Sequence, residues 1–107
     1  MLKPLDIYKQ LVKRGQTWAD ALEIAEIYEE NKKSLLSQLG TECEEKSSAA
    51  REAYALRHVE YIKHIEDMVK ARKAANKARV IYDSARIYAE LKRTEAATER
   101  AINKYSS

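Results

Sequence analysis

Turn-forming residues are scarce: the 107-residue sequence contains two glycines and one proline, and it has no phenylalanine. Charged residues make up 35% of it, and alanine, glutamate, lysine, arginine and leucine dominate the composition. That bias is typical of long helices and coiled coils. We therefore expect an all-α protein that forms a single domain over residues 1–107.

The sequence also lacks long apolar runs. No stretch approaches the roughly 18 consecutive apolar residues that a membrane-spanning helix needs, and the first residues lack the apolar segment of a signal peptide. A lone cysteine, Cys43, cannot form a disulfide within the chain, which agrees with a reducing compartment. These absences predict a cytoplasmic protein without a membrane partner.

Signatures of catalysis are missing as well. With two glycines in all, the sequence has no glycine-rich phosphate loop. Cys43 lies among glutamates, which disfavour a reactive thiolate. Glu60, His64 and Asp67 share a helical face, but no Glu-x-x-His tetrapeptide of the di-iron type occurs. We expect no enzyme activity, no metal, no cofactor and no small-molecule substrate.

Two short helices are predicted at the N-terminal end. Pro4 suits the first turn of a helix, and apolar residues recur at three- and four-residue spacing until Gly15, which indicates helix 1 at about 4–14. Thr17 then provides an N-cap, with an acid three residues later as in a capping box. The apolar stripe that follows indicates helix 2 at about 18–39.

The longest element is predicted after Gly40, which can adopt the left-handed conformation that ends a helix. Thr41, with a glutamate three residues later, gives a new capping-box pattern, while Ser47 is the competing start. The boundary therefore lies within 39–49. No glycine or proline interrupts the chain afterwards, so we predict helix 3 at about 42–105.

Helix 3 is too long for the other two helices to cover. It would extend about 95 Å, against about 33 Å for helix 2 and about 15 Å for helix 1. Its apolar face must be buried by a second copy, by another protein, or by folding back at a hinge. We expect self-association, most simply as a dimer, in a coiled-coil-like helical bundle.

Heptad spacing locates the expected oligomer seam. From Met68 onward, the a and d positions of a heptad repeat are all apolar for more than three heptads, which is typical of a left-handed coiled coil. The many alanines predict a close approach of the helices. The seam consists of Met68, Ala71, Ala75, Ala78, Tyr82, Ala85 and Ala89.

Basic residues concentrate at the C-terminal end, where residues 71–107 carry nine bases and four acids. Five arginines recur at seven-residue spacing: Arg72, Arg79, Arg86, Arg93 and Arg100. In a left-handed supercoil such a row stays on one side of the seam. It either pairs with glutamates of helix 2 or, with Lys70, Lys73 and Lys77, forms a strip that contacts phosphates or an acidic protein. The candidate glutamates are Glu23, Glu26, Glu29 and Glu30.

Part of the long helix resembles known proteins. Residues 71–78 read Ala-Arg-Lys-Ala-Ala-Asn-Lys-Ala, and they are followed by Tyr82-Asp83 and by Glu95-Ala96-Ala97-Thr98-Glu99-Arg100. This segment resembles the C-terminal helix of small all-helical accessory proteins encoded by bacteriophages and prophages. The resemblance implies a factor that binds a host or phage protein, or one that supports DNA recombination or replication.

These features predict a non-enzymatic interaction or assembly protein that binds a protein partner through an elongated, charged helical surface. The alternative is a DNA-binding accessory protein that uses the basic C-terminal helix. Such binding would tolerate any sequence, because no zinc-finger, leucine-zipper or RNP pattern occurs. A steep loss of affinity with salt would distinguish the alternative from the first hypothesis.

Overall fold

Three helices make up nearly all of the protein. The structure, a computed structural model, describes residues 3–106. Helix α1 is Pro4–Gly40 (37 residues), α2 is Ser48–Arg57 (10 residues) and α3 is Val59–Ser106 (48 residues). No strand occurs in the described range. The all-α class and the very long C-terminal helix that were predicted from the sequence are confirmed.

One continuous helix occupies the region where helix 1 (4–14) and helix 2 (18–39) were predicted. Gly15 lies inside α1 without a positive φ. Thr17 does not act as an N-cap, because its hydroxyl donates to the Lys13 carbonyl one turn earlier, at 3.0 Å. The predicted division is wrong because one glycine costs a helix interior only about 1 kcal/mol, which tertiary packing readily offsets.

The turn after α1 also differs from the predicted one. Gly40 has no positive φ, and the Thr41 hydroxyl donates to the Gln38 carbonyl at 2.6 Å. Thr41 therefore closes α1 and does not start the next helix. That helix begins at the competing boundary, where the Ser47 hydroxyl accepts a hydrogen bond from the Ala50 amide at 3.4 Å, as an N-cap does.

A break at His58 divides the predicted helix 3 into α2 and α3. His58 has an extended backbone, with φ −68° and ψ 137°. Its Nδ1 accepts a hydrogen bond from the Glu60 amide at 3.1 Å, and its Nε2 lies 3.5 Å from a Glu42 carboxylate oxygen. The histidine ring thus caps α3 in the way that serine or aspartate more often does. No glycine or proline marks this break in the sequence.

The chain reverses direction between α1 and α3, across residues 41–58, so that α1 lies antiparallel along α3. The carbonyl of Tyr28 in α1 is 2.7 Å from the Nε2 of His64 in α3, and the two rings meet edge to face at 5.3 Å. Helix α2 closes the end of the hairpin. The small core there consists of Leu39, Ala55 and Tyr61, surrounded by Leu35, Leu36 and Ile65.

The resulting molecule is long and thin. Its Cα radius of gyration is 23.9 Å and its extents are 86 × 20 × 15 Å, whereas a compact chain of this length has a radius of gyration of about 13 Å. Few hydrophobic side chains of the described range are buried: Ala25, Leu39, Ala55, Tyr61, Met68, Ala75 and Ala78. Much of the surface of α1 and α3 is therefore open to other molecules.

Candidate interaction surface on the long helix

The heptad seam of α3 is a packing surface, but α1 of the same chain fills it. Met68, Ala75 and Ala78 are buried, and Tyr82 packs against Trp18 of α1 with ring centroids 5.5 Å apart. The remaining seam residues, Ala71, Ala85 and Ala89, are half-buried. The sequence predicts that this seam binds a second copy; in the structure α1 of the same chain occupies it, because α1 and α3 form a hairpin.

Small residues on both helices permit the close approach that the alanine-rich seam predicted. A Cβ atom added at Gly15 would lie 3.3 Å from Cε2 of Tyr82, which is tighter than an ordinary van der Waals contact. Opposite, Ala78 and Ala75 bring little side-chain volume. Gly15 therefore provides clearance for the ring of Tyr82, and this explains a glycine in the interior of α1.

A second apolar column runs along the outer face of α3. Four aliphatic residues recur there at eleven-residue spacing, and we call them the outer column. They are Val69, Val80, Leu91 and Ile102, with exposed fractions of 53%, 59%, 63% and 57%. Eleven residues make three helical turns plus about 20°, so the column drifts by only about 60° over about 50 Å. It is a nearly straight, exposed apolar line.

The outer column lies on the side of α3 that faces away from α1. Val80 is about 160° around the helix from both Ala78 and Tyr82, which face α1. An open groove along the column is lined by Val69, Arg72, Lys73, Asn76, Lys77, Val80 and Ile81. Other exposed apolar residues border the column on the same helix: Ile62, Ile87, Tyr88 and Tyr105. A helix that is apolar on two opposite faces is typical of one with two neighbours.

The arginine row is divided between three environments. Arg72 pairs with Glu29 of α1, which is the kind of contact expected if the row pairs with helix 2. Arg86 pairs with carboxylates of its own helix, Glu90 at 3.2 Å and Asp83 at 4.0 Å. Within residues 3–106, three members have no carboxylate at ion-pair distance: Arg79, Arg93 and Arg100.

The lysines predicted to bind an anionic partner are exposed, and two of them, Lys73 and Lys77, line the groove. Lys70, Lys73 and Lys77 form no ion pair with any described residue. Together with Arg72 and Arg79, they give segment 70–79 five bases and no acid. The structure thus places a strongly basic segment beside an apolar column, and among residues 3–106 only Arg72 of these five bases has a carboxylate partner.

Residues considered as chemical candidates are engaged elsewhere. His64 contacts the Tyr28 carbonyl, and Asp67 accepts a hydrogen bond from Lys63 at 3.0 Å, which raises the pKa of Lys63 above its ordinary value. Cys43 is a half-buried free thiol whose sulfur is 4.0 Å from the Ala50 carbonyl. Across the described part of the chain, His, Cys, Asp and Glu nowhere converge in a group of three. None of the described helices could cross a membrane.

A heptad template does not detect the outer column. In that frame, the four residues fall at positions b, f, c and g, which are not seam positions. A search at a period of eleven finds them, because that period follows one face of a straight helix.

No protein-family profile, curated protein or solved structure matches this chain. The expected resemblance to phage-encoded accessory proteins stays a prediction.

Proposed function

We propose that this protein is a non-enzymatic helical interaction and assembly factor, and that it binds a partner helix along the outer column of α3. The observation that carries the proposal is the column itself: Val69, Val80, Leu91 and Ile102 expose more than half of their surface on one line. Monomeric soluble proteins expose single apolar residues commonly, but they rarely expose extended apolar surfaces without a partner.

The total surface area supports the same conclusion. The chain exposes 8607 Å², whereas a compact monomer of 12.3 kDa exposes about 6,100 Å². Each partner in an ordinary stable complex buries about 800 Å². The chain therefore exposes enough surface to form such an interface while the hairpin of α1 and α3 stays intact.

The charges beside the column indicate the chemistry of the partner. Segment 70–79 carries five bases and no acid, and only Arg72 has a carboxylate partner in the described structure. Like charges that meet at an interface are repulsive, and opposite charges select a partner and its register. We therefore expect the partner helix to have an apolar face bordered by Asp or Glu opposite this segment.

Site-specific photo-cross-linking in the source cells tests this proposal. A photoreactive residue in place of Val80 should give adducts of defined mass, because this position lies inside the proposed contact. Ile24 is the matched control, since it is an aliphatic residue on α1 with a similar exposed fraction, 53% against 59%. Absence of adducts at position 80, or the same adducts at both positions, would contradict the proposed surface.

DNA binding is the second candidate. Segment 70–79 favours it, because this segment contains five lysines and arginines and no acidic residue. If all five bases contact phosphates, the logarithm of the affinity for random duplex DNA should fall with the logarithm of salt with a slope of about −4.5. Lys73→Glu with Lys77→Glu should abolish that binding, while Lys9→Glu with Lys13→Glu on α1 should weaken it little. Absence of binding at low salt would exclude this candidate.

A further inference from the structure

Three of the four outer-column residues are symmetric about Val80, which points to one occupant; the fourth, Ile102, would face position 58, before α3 begins. Val69 and Leu91 each lie eleven residues from Val80, in opposite directions along α3. We propose that the outer column binds the outer column of a second copy, with the two α3 helices antiparallel and the two-fold axis at Val80. This inference rests on the proposed function, because it names the partner of the same surface.

The apolar contacts match in this arrangement. An antiparallel pair centred on Val80 brings the two Val80 side chains together and places Val69 of each copy opposite Leu91 of the other. A two-fold contact of this kind is self-complementary, so the Val69–Leu91 contact occurs twice and the Val80–Val80 contact occurs once, on the axis. The valines and leucine are unengaged in the hairpin, with exposed fractions of 53% to 63%, so the pairing requires no rearrangement of α1.

The charges distinguish antiparallel from parallel pairing. Segment 70–79 has five bases and no acid, whereas segment 81–90 has two acids and one base. The antiparallel arrangement places these two segments opposite each other. A parallel pair in register would place five bases opposite five bases, and such like-charge contacts are costly.

The segments of α3 farther from Val80 also have opposite net charges. Segment 60–69 has three acids and one base, and segment 91–100 has three bases and two acids. They also lie opposite each other when the axis is at Val80. Both halves of the contact therefore join segments whose net charges differ in sign, and a parallel pair would join segments of the same sign.

One arginine gains a partner in this arrangement. Arg79 and Asp83 lie on the same flank of α3, about 100° and about 60° from Val80. In an antiparallel two-fold pair, the same flank of each helix faces its counterpart. Arg79 of one copy therefore lies opposite Asp83 of the other. Within the described chain Arg79 has no ion pair, and Asp83 has only a 4.0 Å contact with Arg86.

Light scattering on the full-length protein over a range of concentrations tests whether the second copy binds there. The wild type should double its mass as concentration rises, and Val80→Asp should lower the association constant at least about a hundredfold, since two carboxylates would meet at the axis. Ile24→Asp should leave the association unchanged. Thermal unfolding monitored by circular dichroism should show all three proteins folded at the measuring temperature.

Spin labels test the orientation. In a Cys43→Ser background, a label at Val69→Cys should lie about 35 Å from its counterpart in the dimer if the helices are antiparallel, and about 10 Å if they are parallel. Mixing proteins labelled at Val69→Cys and at Leu91→Cys should give the short distance only in the antiparallel case.

Three outcomes would overturn the inference: a wild type that stays monomeric, a dimer that Val80→Asp leaves intact, or a short distance between Val69 labels. If the protein stays monomeric while the photoreactive residue at position 80 captures a protein of another mass, the second copy is excluded but the proposed function stands. If no adduct forms and no dimer is observed, both fail.

Discussion

At the scale of residues, the stability of the hairpin depends on a few contacts between side chains of very different size. Trp18 and Tyr82 supply large apolar surfaces where α1 crosses α3, while Gly15 leaves space for the tyrosine ring. Alanines at positions 75 and 78 are nearly fully buried and add little volume. Aromatic side chains of this size bring large apolar contact areas, so we expect the Trp18–Tyr82 pair to stabilise the hairpin.

Trp18→Ala should lower the free energy of unfolding by about 2 kcal/mol, which is below the range for fully buried aromatic residues because Trp18 is half-buried. Urea denaturation followed by circular dichroism measures this change. Tyr105→Ala is the control: Tyr105 is 85% exposed, so its removal should leave stability within about 0.5 kcal/mol of the wild type. Equal effects of the two substitutions would contradict the packing described for Trp18.

For the helices, the sequence predicts which face is buried better than it predicts where each helix begins and ends. The heptad positions from Met68 to Ala89 do face a neighbouring helix, since periodicity reports which side of a helix is buried. Periodicity does not report which molecule buries it. That depends on the turn at residues 41–47 and on the break at His58, where a histidine ring makes the cap.

Gly15 and Gly40 illustrate the same limit. Both look like helix ends in the sequence, yet both have helical, negative-φ backbones. The environment explains Gly15, where an added Cβ would crowd Tyr82, whereas at Gly40 an added Cβ would make only an ordinary contact of 3.7 Å with Arg51. A glycine that serves close packing cannot be distinguished from a glycine that ends a helix until the neighbouring helix is known.

The start of α2 gives a testable prediction. Ser47→Ala should lower the free energy of unfolding by about 1 kcal/mol, because the Ala50 amide loses the hydroxyl that accepts its hydrogen bond. Ser48→Ala, one residue later, removes a hydroxyl that makes no cap and should cost nothing measurable or stabilise slightly. Chemical denaturation of both variants checks this. If Ser48→Ala lowered the free energy of unfolding more than Ser47→Ala, the assignment of Ser47 as the N-cap of α2 would be contradicted.

At the scale of the whole molecule, one chain forms a thin hairpin whose longest helix has two apolar faces. Helix α1 covers the inner face, and the outer column is exposed to solvent. The two long helices lie side by side in a single layer, so the radius of gyration is 23.9 Å and few side chains are buried. Association side by side would thicken the molecule and bury the outer column without lengthening it much, because Val80 lies near the middle of α3.

Small-angle X-ray scattering combined with light scattering, over a concentration series of the untagged protein, measures whether the hairpins associate side by side. The dilute limit should give the mass of one chain and a radius of gyration near 23.9 Å. At higher concentration the mass should double while the maximum dimension changes little and the cross-section grows. A compact particle with a radius of gyration of about 13 Å, or a dimer that grows in length and not in cross-section, would contradict the account.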